Sequence, residues 1–149
     1  MAASQMLALG KKLANSYAAR CLPVCRKYGI NQTCFDILLF CANNPDHNTA
    51  RDVCSLRGIK SGIASVSVEM LIENGLLTRT PDPADRRKHR LVPTEQAAAV
   101  IEAGREMQRQ FASALRRGMT EEELATMERV FGKVEENLIQ LGKQERGKC

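Results

Sequence analysis

The chain has 149 residues and a formal net charge of +5, from 22 lysines and arginines against 17 aspartates and glutamates. A chain of this length is expected to form one domain, or one compact unit with appended helices. The longest wholly apolar run, ILLFCA at 37–42, is far too short to span a bilayer, and no secretory signal is visible. A membrane protein is therefore not expected, and a cytoplasmic location is.

The first segment predicts an amphipathic helix, because apolar side chains recur at intervals of three and four residues. These residues are Met6, Leu9, Leu13, Tyr17, Cys21 and Val24. Gly29 then interrupts the pattern. A second helix is expected to begin after Asn31, a good N-cap residue, and to run to the turn signal NNPD at 43–46. Its apolar residues occupy nearly every face of the helix, which indicates a central, buried helix.

Two shorter helices separated by a tight turn are predicted next. Thr49 and Asp52 have the spacing of a capping box at the start of the first of them, and Gly58 ends it. The other runs from about Ser61 to residue 74 and stops at Gly75. Two short helices joined in this way have the layout of a helix-turn-helix.

A two-stranded hairpin is predicted directly after these helices, from the segments LLTRT at 76–80 and HRLV at 89–92. The loop between them contains two prolines and two aspartates. Residues 79–90 include five cationic and two acidic side chains. A basic hairpin that follows a helix-turn-helix is the layout of a winged helix. Taken alone, the basic loop would more simply be a solvated turn; its position after a helix-turn-helix favours contact with nucleic acid.

Two long helices complete the predicted chain. Thr94 is expected to cap the first, which has an apolar stripe from Ala97 to Leu115. Thr120 and Glu123 form a second capping box at the start of the last helix. That helix has an apolar seam with strict alternation of three and four, typical of helices that pack lengthwise. The seam consists of Leu124, Met127, Phe131, Val134, Leu138 and Leu141.

The expected fold is therefore mostly α with a small β-hairpin wing. A winged helix-turn-helix at 31–93 is flanked by an N-terminal helix at 1–30 and C-terminal helices at 94–149. The flanking helices offer more apolar surface than one small winged domain needs. They either pack around that domain within one chain or pair with a second copy of the chain.

The segment VSVEMLIENGLLTRTPDPADRRKHRLVPTEQA at 66–97 resembles the signature of the MarR family of bacterial winged-helix transcriptional regulators. The family pattern couples a recognition helix that ends in Leu-x-x-x-Gly-Leu to a wing that contains Asp-Arg-Arg. The matching residues here are Leu71, Gly75, Leu76, Asp85, Arg86, Arg87 and Thr94. The chain departs from the pattern at Val66, where the family commonly has a basic or hydrogen-bonding residue, and at Pro93 and Ala97.

The resemblance implies a cytoplasmic homodimer, joined through its N- and C-terminal helices, that binds double-stranded DNA at a near-palindromic operator. It implies a repressor whose DNA affinity is relieved by a small aromatic or anionic effector, or by an oxidant. No set of residues in the sequence identifies which effector would bind. The alternative is a winged-helix protein-interaction module with weak or no specific DNA binding.

Two groups of residues are the candidates for DNA contact. The N-terminal residues of a recognition helix reach base edges in the major groove. In this chain the polar residues there are Lys60, Ser61 and Ser65. The cations expected to contact phosphates or the narrow minor groove are Arg86, Arg87 and Lys88. Asp85 would be repelled by phosphate, so we expect it to pair with Arg87 or a neighbouring cation and to organise the wing.

The predicted recognition helix has a second apolar face, formed by Ile63, Val66 and Met70. The simpler interpretation is that the helical phase is slightly different and these residues are buried. The other is that they contact thymine methyl groups in the major groove. The pattern modestly favours burial.

Six cysteines are present, but none are spaced as a zinc site, and no metal or other cofactor is expected. Cys21 and Cys25 lie near Arg20, Arg26 and Lys27, which would lower a thiol pKa and suit a redox sensor. Buried, inert thiols are the commoner alternative, particularly for Cys34, Cys41 and Cys54. No phosphate loop or nucleophile motif suggests an enzyme.

Overall fold

The computed structural model describes residues 2–146, with side chains described through Lys143; Cys149 lies outside these residues. The element order is α1 (Ala3–Tyr28), α2 (Gln32–Asn43), α3 (Ala50–Arg57), α4 (Ser61–Glu73), β1 (Leu77–Pro81), β2 (His89–Pro93), a 3-10 turn (Glu95–Ala97), α5 (Ala98–Arg116) and α6 (Glu121–Arg146). The predicted fold class, mostly α with a β-hairpin wing, is confirmed. The chain forms two compact units that divide after Phe111. The finer division at 30/31 and 93/94 stays a prediction.

The core of the first unit is built around α2. Phe35, Ile37, Leu38 and Leu39 on this helix are all buried, as the all-round apolar pattern predicts. The helix begins where the side chain of Asn31 accepts a 2.8 Å hydrogen bond from the Cys34 amide. Helix α5 packs so closely against α2 at Gly104 that a larger residue would displace neighbouring side chains. A Cβ at Gly104 would come within 3.0 Å of the Leu39 and Phe35 side chains.

The helix-turn-helix has the predicted boundaries. Thr49 and Asp52 form a reciprocal capping box at the start of α3. Gly58 ends α3 with a left-handed backbone (φ 64°), a conformation that a residue with a Cβ adopts at a cost. Gly75, after α4, has φ 71° and redirects the chain into β1. These two glycines therefore set where the helices stop and the wing begins.

The prediction that Thr94 caps the long helix α5 is wrong. Its side chain makes no capping hydrogen bond, and the segment after it is a 3-10 turn, so α5 begins only at Ala98. The Thr94 hydroxyl instead donates to the carbonyl oxygen of Gly75, and the Thr94 amide donates to the Leu76 carbonyl. Thr94 therefore ties the end of β2 to the turn that follows α4, a tertiary contact that local spacing does not reveal.

The second unit is largely the helix α6. The predicted capping box is present: the Thr120 hydroxyl accepts from the Glu123 amide, and the Glu123 carboxylate accepts from the Thr120 amide. The apolar seam is not covered within the single chain. Phe131 is 60% exposed and Leu138 is 61% exposed, while Leu124, Met127 and Val134 are half-buried.

Candidate nucleic-acid interface

Helix α4 is held on the core by its inner face. Ala64, Val68 and Leu71 are buried there, as the apolar spacing predicts, and the neighbouring Ser67 is buried with them. The Cys34 thiol of α2 donates to the Ser67 carbonyl at 3.6 Å, which gives one buried polar group a partner. The inner face is thereby fixed on α2, and the opposite side of the helix faces solvent.

The three polar candidates on α4 lie at its N-terminal end. Lys60 occupies the N-cap position, Ser61 is the first helical residue, and Ser65 lies one turn further on. All three side chains are exposed. The helix N-terminus carries partial positive charge and unsatisfied amide groups, so this end of α4 is suited to approach a phosphate or a base edge.

The interpretation that Ile63, Val66 and Met70 are buried is wrong. These residues, which we call the outer face of α4, are 52%, 63% and 39% exposed. The helical phase is fixed by the burial of Ala64 and Val68, and this places the outer face away from α2. The chain therefore presents three large apolar side chains to solvent beside its candidate DNA-contacting residues.

The wing consists of β1, β2 and the tip at residues 82–88. The strands are antiparallel, with Leu77 opposite Pro93 and Pro81 opposite His89. Leu77 and Leu91 point into the core, which anchors one side of the hairpin. The other side is exposed and displays the cations.

Asp82 is the principal organiser of the wing tip, and sequence reasoning missed it. Its Oδ1 atom accepts hydrogen bonds from the amides of Ala84 (2.8 Å) and Asp85 (3.2 Å), and its Oδ2 atom accepts from Arg90 Nε (2.8 Å). The Arg90 hydrogen bond lowers the pKa of the Asp82 carboxyl below its ordinary value, so it is charged at neutral pH. The usable signal was the Asp-Pro pair in the loop, since an aspartate often accepts from the amide two residues on.

Asp85 has the pairing expected of it. Its Oδ1 atom accepts from the Arg87 amide at 3.1 Å and from Arg87 Nε at 3.3 Å. Its carbonyl oxygen accepts from the Lys88 amide at 2.9 Å, which closes the turn. The two aspartates therefore brace the tip from both ends of the turn, although both carry a charge that phosphate would repel.

The cations of the wing divide into two groups. Arg79 pairs with Glu69 of α4, and Arg90 donates to both Asp82 and the Pro45 carbonyl, so these two arginines bind the wing to its neighbours. The Arg87 side chain is 93% exposed although it pairs with Asp85. Arg86 and Lys88 are exposed and make no ion pair within the part of the chain that the structure describes. The free cationic groups are thus concentrated at the tip.

The expectation of a lowered thiol pKa at Cys21 and Cys25 is wrong. Both side chains are buried in the core, at 0% and 5% exposure, and the nearby cations lie on other faces of α1. Burial raises the pKa of Cys21 to about 11 and raises that of Cys25 as well. Cys34 and Cys41 are buried as expected, whereas Cys54 is only half-buried.

A cavity of about 600 Å³ lies between the C-terminal end of α2, the end of β2 and the start of α5. Its walls are apolar at Ile101, basic at Arg105 and acidic at Glu102. Asn48, a buried lining residue, has an Oδ1 atom without a hydrogen-bond partner among the described residues. The volume is within the ~300–1,000 Å³ range of small-molecule sites.

Other kinds of site receive no support from the geometry. No group of three or more metal-ligating side chains occurs in the described part of the chain. None of the described helices is long and apolar enough to cross a membrane.

Residues 28–88, which cover α2 to the wing tip, match the sequence profile of the MarR family. No curated protein matches the sequence. Among solved structures, the transcription regulator MarR from Oenococcus oeni PSU-1 is 23% identical with a TM-score of 0.74, over 88% of this chain and 98% of that one. S. aureus MepR, solved as a DNA complex, is 17% identical with a TM-score of 0.75, over 87% and 94%.

A third solved structure, CouR from Rhodococcus jostii RHA1 bound to p-coumaroyl-CoA, is 18% identical with a TM-score of 0.72. The likeness covers 87% of this chain and 88% of that one. At these identities the likenesses establish a shared fold, which extends beyond the matched residues to the flanking helices.

Proposed function

We propose that the chain, whose residues 28–88 match the MarR family profile, is a cytoplasmic, DNA-binding transcriptional regulator of that family. The observation that carries the proposal is the wing tip. Arg86, Arg87 and Lys88 are exposed there, and two aspartates hold the loop that presents them. A tip that is both cationic and structurally braced suits contact with a phosphate backbone or a narrow minor groove.

In this proposal α4 enters the major groove while the wing contacts the adjacent backbone. Lys60, Ser61 and Ser65 approach the base edges and phosphates with the N-terminal end of the helix. The ion pair between Arg79 and Glu69 keeps the wing in register with α4, so the two contacts are presented together. Asp82 and Asp85 lower the positive charge of the wing but preserve its shape.

We propose further that the regulator is a homodimer. The apolar residues Met6, Leu9 and Leu13 of α1 are exposed, and so are Phe131 and Leu138 of α6. Monomeric proteins rarely leave so much apolar surface in contact with water. A twofold dimer of winged helices would present two α4 helices about 34–36 Å apart to a near-palindromic operator.

Replacing Arg86 with alanine should weaken binding to all DNA sequences, because phosphate contacts carry no sequence information. The slope of log affinity against log salt concentration should fall by about 0.9 for each phosphate that the protein no longer neutralises. Fluorescence anisotropy with one operator duplex and one random duplex, at several salt concentrations, measures both slopes. Arg129→Ala, which removes an exposed cation of α6, is the matched control and should leave the slope unchanged. An unchanged slope for Arg86→Ala would show that the wing is not part of the DNA interface.

We propose that DNA binding by this repressor is relieved by a small aromatic anion rather than by an oxidant. The cavity has a suitable size, an apolar wall at Ile101 and a cation at Arg105, whereas burial raises the pKa of Cys21 to about 11 and so disfavours the reactive thiolate. Millimolar benzoate should weaken operator binding about tenfold, a typical allosteric coupling, and Arg105→Gln should blunt the response. Hydrogen peroxide should change affinity less than twofold. Peroxide-induced release that dithiothreitol reverses would contradict this.

A further inference from the structure

We infer that the outer face of α4 recognises the 5-methyl groups of thymine, with Val66 as the central contact and Ile63 beside it. The inference rests on the proposed function, because it places α4 in the major groove of DNA. It adds the chemical basis of sequence selectivity, which the wing and the phosphate contacts do not supply.

The first observation is the position of Val66 on the helix. Ala64, Val68 and Leu71 are buried, and at 3.6 residues per turn Val66 lies nearly opposite them. Val66 is 63% exposed, more than any other large apolar side chain of α4. It therefore occupies the part of the helix that would lie deepest in a groove.

The second observation is that the outer face is continuous with the wing. Glu69, three residues beyond Val66 on the same side of the helix, pairs with Arg79 of β1. The pair neutralises the Glu69 carboxylate, which lowers the repulsion between this side of α4 and a phosphate backbone. Glu73, two turns beyond Val66, stays exposed at the far end of the helix. Lys60 at the N-cap adds a cation at the end that would approach the DNA first.

The third observation is chemical. Guanine and adenine are recognised in the major groove chiefly by arginine, lysine, asparagine or glutamine side chains, whereas thymine presents a methyl group to apolar ones. Residues 61–73 contain none of those four polar residue types. The exposed serines can bond to several bases and discriminate little. Beyond what Lys60 at the N-cap contributes, selectivity from this helix therefore comes largely from contacts of Val66 and Ile63 with methyl groups.

A protein partner is a less suitable occupant for the same face. A stable protein–protein interface buries ~800 Å² on each partner. Three side chains, each already partly covered by the helix, provide only a fraction of that area. Their flanks carry the groups suited to DNA, namely Lys60 and the wing cations.

The test uses the full-length chain and a duplex selected from a randomised library for tight binding. The duplex is synthesised with deoxyuridine in place of thymidine at one position at a time, which removes the methyl group and leaves base pairing unchanged. At thymines that Val66 or Ile63 contacts, each replacement should lower affinity about fourfold. Replacement at thymines in the flanks should have no effect.

The variants Val66→Ala and Val66→Thr complete a double-mutant cycle with the DNA. Val66→Ala should lose the preference for thymine over uracil at the positions that Val66 contacts and keep it at those that Ile63 contacts. Val66→Thr keeps one of the two γ-methyl groups and should retain part of the difference. Because Val66 is exposed, neither change should affect folding.

Three results overturn the inference. If wild type binds thymine and uracil duplexes equally, methyl recognition is wrong while DNA binding stands. If Val66→Ala retains the full preference for thymine at every position, Val66 does not recognise the methyl group and the inference is wrong. If no duplex is enriched over random DNA, the proposed function fails as well.

Discussion

Asp82→Ala should weaken operator binding by about tenfold or more, although it removes a negative charge from a DNA-binding surface. Asp82 accepts hydrogen bonds from two backbone amides and from Arg90, so its loss frees the tip that carries Arg86 and Lys88. The backbone of the tip must then be ordered on binding, at a cost of about 1–2 kcal/mol for each residue that the loss frees. The direction of the change in DNA affinity is decisive, because the charge change alone predicts tighter binding.

Two further variants separate charge from structure. Asp85→Ala makes the same charge change but removes only the bonds to Arg87, so it should weaken binding by a smaller factor. Asp46→Ala also removes one negative charge, yet Asp46 is exposed and accepts no hydrogen bond among the described residues. It should bind DNA slightly more tightly. Anisotropy titrations of the three variants at several salt concentrations provide the comparison. Tighter binding by Asp82→Ala throughout would show that Asp82 does not organise the wing.

The double variant Phe131→Ala, Leu138→Ala should dissociate the dimer. Both side chains are largely exposed in the single chain, so truncation should leave the protomer folded and act on association. Large apolar side chains at the centre of an interface commonly contribute 2 kcal/mol or more when truncated, so we expect the dissociation constant to rise by about a hundredfold or more. Operator affinity should fall with it, because two α4 helices must bind together.

Sedimentation equilibrium over a micromolar concentration range measures the association. Gln140→Ala, on the opposite side of α6 from the seam, is the matched control and should leave the dimer intact. A wild-type chain that sediments as a monomer at micromolar concentration would contradict the dimer proposal. A folded, dimeric double variant would place the interface elsewhere.

Local chemistry determined the boundaries of most helices of this protein, although not the start of α5. The Asn31 cap, the Thr49–Asp52 and Thr120–Glu123 capping boxes and the stops at Gly29 and Gly58 each depend on residues within four positions of one another. Such contacts are present in the sequence as spacings, so the helices and the hairpin were predictable. The apolar periodicity also identified the buried residues of α2 and the inner face of α4, but it wrongly favoured burial of the outer face as well.

Tertiary structure alone decided which groups are free and which are engaged. The cations between residues 79 and 90 look alike in sequence, but Arg79 and Arg90 bind Glu69 and Pro45, which are distant along the chain. The same holds for Cys21, where burial raises the pKa and the cations adjacent in sequence lie on other faces of α1. The exposure of Val66 was likewise decided by how α4 rotates against α2. A sequence pattern gives the period of a helix, but its packing partner sets which of two apolar faces meets the core.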